Sequence, residues 1–143
     1  MNVVVGCIVK KDDKFLMVKE GQGRCQGMWN FPIGHLEENE TIVEGAKRET
    51  LEETGYEVNI HKMLPITELY QNNKKYILIR FLATPKEKVK DYESTIAEIK
   101  WMRQEEILNI PKQDFRGYES NIQVLEYLNK DNLFSIDILQ AQE

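Results

Sequence analysis

One helix interrupts a succession of strands, and that order restricts what the chain can become. Thr41 to Thr54 is the segment with the clearest helical character. Gly34 lies in the loop before it, Gly55 stops it, and acids near its first turn suit the helix dipole. Ahead of it, Val3 to Val9 and Phe15 to Lys19 are β-rich runs. The polar stretch KKDDK (10–14) separates them, with Asp12-Asp13 as turn signal, so they read as a hairpin. GQGRCQG (21–27) reads as a loop. Met28 to Ile33 is a short extended segment, with Pro32 disfavouring helix at Phe31. Beyond the helix, Glu57 to Tyr70 and Tyr76 to Thr84 are long extended runs joined by NNKK (72–75), a second hairpin. Ile96 to Met102 is a further strand and Gln104 to Leu108 a short helix. Gly117 to Asn129 is a longer helix, carrying Ile122, Leu125 and Leu128 at helical spacing. LFSIDIL (133–139) fits strand and helix equally. The hairpins exclude a purely parallel, doubly wound sheet. The order predicts an α+β fold in which a mixed sheet carries helices on both faces.

With 143 residues and no repeat or linker, we expect one domain over 1–143. A net charge of −5 gives no electrostatic footprint for binding a DNA duplex, though a local basic pocket stays open. No apolar run approaches the roughly 20 residues of a membrane-spanning helix. The start, MNVVVGCIVKKDDKF, has no basic leader and reads as a strand. Cys7 and Cys25 fit no zinc spacing. Two reduced thiols in the cytoplasm are the expectation.

Residues 34–56, GHLEENETIVEGAKRETLEETGY, carry the chemistry. On the helix, Glu49, Glu52 and Glu53 stand at i, i+3 and i+4 and share one side. Like charges at that spacing repel, and nothing in helix formation calls for them. A hard divalent cation turns the cluster into a site, because Mg²⁺ takes oxygen ligands and binds one or two carboxylates together with substrate phosphates. Without further support, a solvated acidic face is the commoner explanation. Ile42, Val43, Ala46 and Thr50 form the adjacent stripe that should face the sheet. Arg48, four residues before Glu52 and four after Glu44, is expected to brace both acids.

The cluster belongs to a longer frame that resembles the Nudix box. That box is Gly, five residues, Glu, seven residues, Arg-Glu, a bulky aliphatic, any residue, Glu-Glu, any residue, Gly and an apolar residue. Gly34, Glu40, Arg48, Glu49, Glu52, Glu53 and Gly55 stand at those spacings. Thr50 departs from the aliphatic position, Tyr56 is a looser match at the last one, and Ile33 replaces a second glycine that many members carry. WNFPIGHLE (29–37), AEIKWMRQEEIL (97–108) and DFRGY (114–118) are similar to family segments outside the box, so the likeness spans roughly residues 1–130. The lead-in, the Arg80 strand and the AEIKW segment look most like a phosphatase-type branch. Members of that branch release phosphate from nucleoside di- and triphosphates and from hydroxymethylpyrimidine diphosphate.

The resemblance implies an α/β/α sandwich and Mg²⁺- or Mn²⁺-dependent hydrolysis of a phosphoanhydride in a small phosphorylated metabolite or nucleotide, by a monomer or homodimer. Other family substrates are the alternative: an oxidised nucleotide, ADP-ribose, a dinucleoside polyphosphate or an RNA 5′ end. A non-catalytic ligand-sensing domain is a further one. Carried over by position, Glu49 and Glu53 are metal ligands, and Glu52 is either the third ligand or the residue that orients or deprotonates the attacking water. The Gly34 carbonyl is a backbone ligand, Arg48 a brace at the catalytic acids, and Glu40 a tether for the loop. Glu98 is either a further ligand or base, or a surface glutamate. Arg80 interrupts the apolar strand YILIRFLA, and a buried arginine needs an anionic partner, either an internal acid or a substrate phosphate. Arg116 is a second phosphate candidate. Trp29, like Trp101, can pack or stack on a base, and Trp29 is expected on the substrate side. His35 and His61 show no metal spacing.

Overall fold

The computed structural model describes residues 2–142; Met1 and Glu143, the ends of the expected 1–143 domain, lie outside them. The first hairpin pairs β1 (Asn2–Lys11) with β2 (Lys14–Glu20) through Lys10↔Phe15 and Lys11↔Lys14, and Asp12 takes the turn at φ 56°. The chain continues through β3 (Trp29–Asn30) and β4 (Ile33–His35) into α1 (Ile42–Thr54). Thr41 caps α1: its hydroxyl accepts from the Glu44 amide at 3.1 Å, and the Glu44 carboxylate accepts from the Thr41 amide at 3.2 Å. Glu44 is therefore committed to the cap and does not meet Arg48, a correction to the brace expected between them. At the other end Gly55 adopts φ 80°, and a Cβ there would lie 1.9 Å from the Lys90 carbonyl oxygen, so only glycine fits.

β5 (Tyr56–Met63) and β6 (Thr67–Gln71) are separate strands, not the single run expected over 57–70. Both pair antiparallel with the fifteen-residue β7 (Lys74–Lys88). Pro65 offers no amide to the ladder. Met63 pairs with Phe81 and Thr67 with Leu78, so three residues bulge opposite Ile79 and Arg80. The β6–β7 turn is the two-residue Asn72-Asn73, with φ of 52° and 61°, the conformation that matches strand twist. β8 (Ile96–Arg103) pairs with β2, and α2 (Gln104–Leu108) follows it directly. α3 (Tyr118–Asn129) and β9 (Phe134–Ser135), which pairs with β5, complete the order; a 3-10 turn over Ile136–Ile138 ends the ambiguous tail.

β1 and β7 are parallel and every other pairing between these strands is antiparallel, so the sheet is mixed; an isolated parallel bridge joins Trp29 to Phe115. α1 covers one face, where Ala46 packs with Val5, Cys7, Val9 and Phe81. α3 and α2 cover the other, where Val124, Leu125 and Ile107 pack with Ile8, Phe31 and Phe115. β1 is buried from Val5 to Val9 because alternate side chains enter each cluster. This is the sandwich expected from the sequence. Among the described residues no helix is long and apolar enough to cross a membrane. Cys7 and Cys25 are both free, and burial pushes the Cys7 thiol up to about 11.

Candidate active site

The box acids gather around one guanidinium. Arg48 donates to Glu40 through Nε at 2.8 Å and Nη2 at 2.7 Å, a fork-on-fork contact. Its Nη1 reaches Glu49 Oε1 at 2.9 Å and Glu52 Oε2 at 3.0 Å, while Nη2 also reaches the His35 carbonyl at 3.0 Å. These contacts raise the arginine's pKa, Glu40 foremost, and Arg48 holds Glu40 below the usual carboxylate range. Glu40 also accepts the Glu37 amide at 2.9 Å, which ties the loop before α1 to the helix.

Glu49 and Glu53 are placed differently. The Glu49 carboxylate lies against the Cα of Gly34: a Cβ at residue 34 would come within 2.2 Å of its Cδ. Burial raises its pKa against the pull of Arg48. Glu53 makes no contact with Arg48; its Oε1 accepts the Ile33 amide at 3.1 Å, a backbone bond that needs no glycine at 33. Burial, then the negative field of Glu49, push Glu53 up to about 9, and Glu20 and Glu93 add to the push. Thr50, at the aliphatic position, is fully buried, and its hydroxyl is satisfied by the Ala46 carbonyl at 2.8 Å.

Among the described residues no three acidic, thiol or imidazole ligands converge as a ready metal site. Arg48 explains this, because it draws Glu49 and Glu52 to itself. The donor set still fits a hard divalent cation. It is all oxygen, Glu49 rests in a cradle that a Cβ would fill, and Glu53 lacks counter-charge.

Other expected residues lie around this cluster. Arg80 is 1% exposed, and its partners are neutral: Ser120 Oγ at 3.1 Å, Asn121 Oδ1 at 3.3 Å and Thr67 Oγ1 at 3.0 Å. Among the described residues no acid pairs with it and its Nε has no partner, and burial lowers its pKa to about 10. Arg80 lies under α3, on the face opposite α1, yet in one row with the acids' anchor: Ile33 pairs with Gly6, and Gly6 with Arg80. Two strand spacings, about 10 Å, separate the backbones of Ile33 and Arg80. Arg116 is half exposed and bonds Glu20 at 3.2 Å; its amide donates to the Trp29 carbonyl at 3.0 Å. Trp29 is partly buried, with Lys19 5.5 Å from its ring centre. Glu98 is exposed on β8 across from Lys19.

Four residues escaped the sequence reading. Glu20 and Glu93 approach the cluster from outside the box. Asn121 and Asn30 form a buried pair, Nδ2 to Oδ1 at 2.8 Å, with Asn121 also donating to the Arg116 carbonyl at 2.8 Å. Asn121 had a readable signal, a polar residue on the stripe that buries Val124 and Leu125. Glu20 and Glu93 had none, since only tertiary pairing brings them in.

The NUDIX domain model matches residues 1–126. The phosphatase NudJ of Escherichia coli K12 is 34% identical over 110 residues, which are 75% of this chain and 71% of that protein. A NUDIX hydrolase from Nitrosomonas europaea superposes with a TM-score of 0.89 at 27% identity, covering 99% of this chain and 97% of that one. A bifunctional NMN adenylyltransferase/ADP ribose pyrophosphatase from Francisella tularensis, complexed with AMP and a manganese ion, superposes with a TM-score of 0.72 at 22% identity, over 90% of this chain and 41% of that one. An acid cluster framed by Gly34 and Gly55, on a sheet shared with these proteins, has one family as its source: the chain belongs to the NUDIX family and is a hydrolase of pyrophosphate bonds.

Proposed function

We propose that the protein is a Mg²⁺-dependent phosphatase of nucleoside di- and triphosphates or of a related small diphosphate such as hydroxymethylpyrimidine diphosphate, acting in the cytoplasm. One observation carries this reading. Among the described residues Arg48 is the one guanidinium within a cluster of four carboxylates; it bonds Glu40, Glu49 and Glu52 and leaves Glu53 untouched. Such a surplus of buried negative charge is costly unless a cation or a proton relieves it. The 34% identity to a phosphatase supports the phosphate-releasing branch.

In this reading Glu49, Glu53 and the Gly34 carbonyl would hold the cation. When bound, it neutralises the diphosphate oxygens and acidifies water. Glu52, with 34% of its side chain open to solvent, faces the attacking water and takes its proton. Arg48 holds Glu52 from one side, Nη1 to Oε2 at 3.0 Å. The water oxygen forms a bond to phosphorus, the bridging P–O bond breaks, and its electron pair leaves on the departing group. Arg116 and Trp29 flank the substrate, and Arg80 supplies a fixed positive charge behind the phosphates. Glu98, exposed beside Lys19, takes no part.

A phosphate-release assay over nucleoside di- and triphosphates, hydroxymethylpyrimidine diphosphate and ADP-ribose tests the proposal, with Mg²⁺, Mn²⁺ or EDTA. We expect orthophosphate from at least one diphosphate with either metal and none with EDTA. Equal rates with chelator would overturn the metal role. Cleavage to a monophosphate and pyrophosphate would move the enzyme to another branch.

A further inference from the structure

We propose that Glu20 is a positioning residue: it holds the guanidinium of Arg116 across the mouth of the box-acid cluster, where Arg116 meets the substrate's phosphate. The inference deepens the reading above and rests on it for the charge that Arg116 encounters.

The two residues are 96 positions apart, and each has its backbone fixed independently. Glu20 donates its amide to the Met28 carbonyl at 2.9 Å, and its own carbonyl accepts the Gly27 amide at 2.8 Å. Arg116 donates its amide to Trp29 at 3.0 Å, and its carbonyl accepts from Asn121 at 2.8 Å. Between these anchors the side chains meet, Nη1 to Oε1, at 3.2 Å. A hydrogen-bonded path ties the Glu20 end of β2 to the box helix. Gly21 donates to the Thr95 carbonyl at 2.8 Å, and Glu93 donates to the Glu52 carbonyl at 3.0 Å. The Thr95 hydroxyl closes the path on Glu93 at 2.9 Å.

The pair has little value as a structural bond. With Arg116 side chain 49% exposed, solvent screens the attraction, and ordering two long side chains opposes it. The placement of Glu20 is accounted for by what it does to Arg116. The guanidinium has five donors, of which one is engaged by Glu20, and its planar fork suits two phosphate oxygens. Holding that fork in place beforehand removes ordering entropy that phosphate binding would otherwise lose. Asn121 fixes Arg116 by its carbonyl and accepts from Arg80, so both arginines are set from one buried side chain at the start of α3.

The test is binding of α,β-methylene-ADP, which resists hydrolysis at its bridge, measured calorimetrically with Mg²⁺ for wild type, Glu20→Gln, Arg116→Gln and the double variant. Mn²⁺ binding without nucleotide is measured in parallel. We expect Glu20→Gln to weaken nucleotide binding about threefold to fivefold and Arg116→Gln about tenfold. The double variant should be no weaker than Arg116→Gln alone. Mn²⁺ affinity should stay within about twofold and melting within about 3 °C throughout. Additive losses, or an unchanged Glu20→Gln, would overturn the proposal. A parallel loss of Mn²⁺ affinity would overturn it too, by making Glu20 a metal acid. Because binding is read without turnover, a wild type that hydrolyses nothing would refute the proposed reaction while leaving this coupling measurable. A wild type that binds no analogue would overturn the coupling to a nucleotide phosphate, while orthophosphate release from hydroxymethylpyrimidine diphosphate would leave the proposed reaction standing.

Discussion

Replacing Glu53 by Gln separates the cost of the site from its use. The amide keeps the size of the side chain, and its Oε1 can still accept the Ile33 amide, now at 3.1 Å. What disappears is a carboxyl that burial and Glu49 push up to about 9 from an ordinary 4.5. Below pH 4.5 the group is protonated whether the chain is folded or not. Above it the unfolded chain releases the proton and the folded chain keeps it until about pH 9. Unfolding therefore releases a proton across that window, and stability falls as pH rises through it. At pH 7 the span is 2.5 pH units above 4.5, about 3 kcal/mol at ~1.36 kcal/mol each. Glu53 is only part-buried, so solvent relaxation reduces this to about 1–3 kcal/mol. Glu53→Gln should raise the melting temperature in EDTA at pH 7 by about 3–10 °C.

Thermal melts of both proteins at pH 5, 7 and 9, with EDTA or Mg²⁺, check this. In EDTA the gap should be small at pH 5 and grow towards pH 9. In Mg²⁺ it should shrink or reverse, because metal binds the ionised acid of the wild type and stabilises it by mass action. Most of the hydrolytic activity should be lost in the variant. A variant less stable than wild type in EDTA at pH 7, or a gap independent of pH, would refute the view that Glu53 is a strained carboxyl.

Two further substitutions probe the same site. Arg80→Met roughly preserves volume while removing a charge whose bonds run to Ser120, Asn121 and Thr67; we expect KM to rise about tenfold with melting within about 5 °C, and unchanged kinetics would leave Arg80 a structural cation. Gly34→Ala places a Cβ 2.2 Å from the Glu49 Cδ, the far end of a flexible side chain, so the fold should persist while Mn²⁺ affinity, read by titration, drops about tenfold or more; an unaltered Mn²⁺ affinity would place the metal away from Glu49.

Local chemistry made much of the fold legible. Thr41 and Gly55 mark α1 because a cap hydroxyl and a left-handed glycine act within a few residues of the helix they end. Asn72-Asn73 marks the second hairpin for the same reason. The break between β5 and β6 was hidden, although Pro65 stood in plain view. A proline can end a strand or occupy a bulge, and which occurs depends on the partner strand. Here β7 is long enough to pair with both pieces, so the sheet continues past the interruption.

At the site, spacing identified the acids but not how their charge is distributed. Helical periodicity put Glu49, Glu52 and Glu53 on one side as equals, and allowed Arg48 to reach Glu44. The structure divides them. Arg48 neutralises Glu40 and Glu52 and shares in Glu49, whereas Glu53 turns to a backbone amide of β4 and stays uncompensated. That division depends on β4 pairing with β1, a contact no window along the chain contains. The same pairing row runs on through Gly6 to Arg80, so one strand register sets both the least compensated acid and the buried cation. A negative site at one end of the row and a positive one about 10 Å away form a dipole across the sheet. Shifting the register of β7 by one residue would turn Arg80 to the other face, beneath α1, and dissolve that arrangement without altering a single residue of the box.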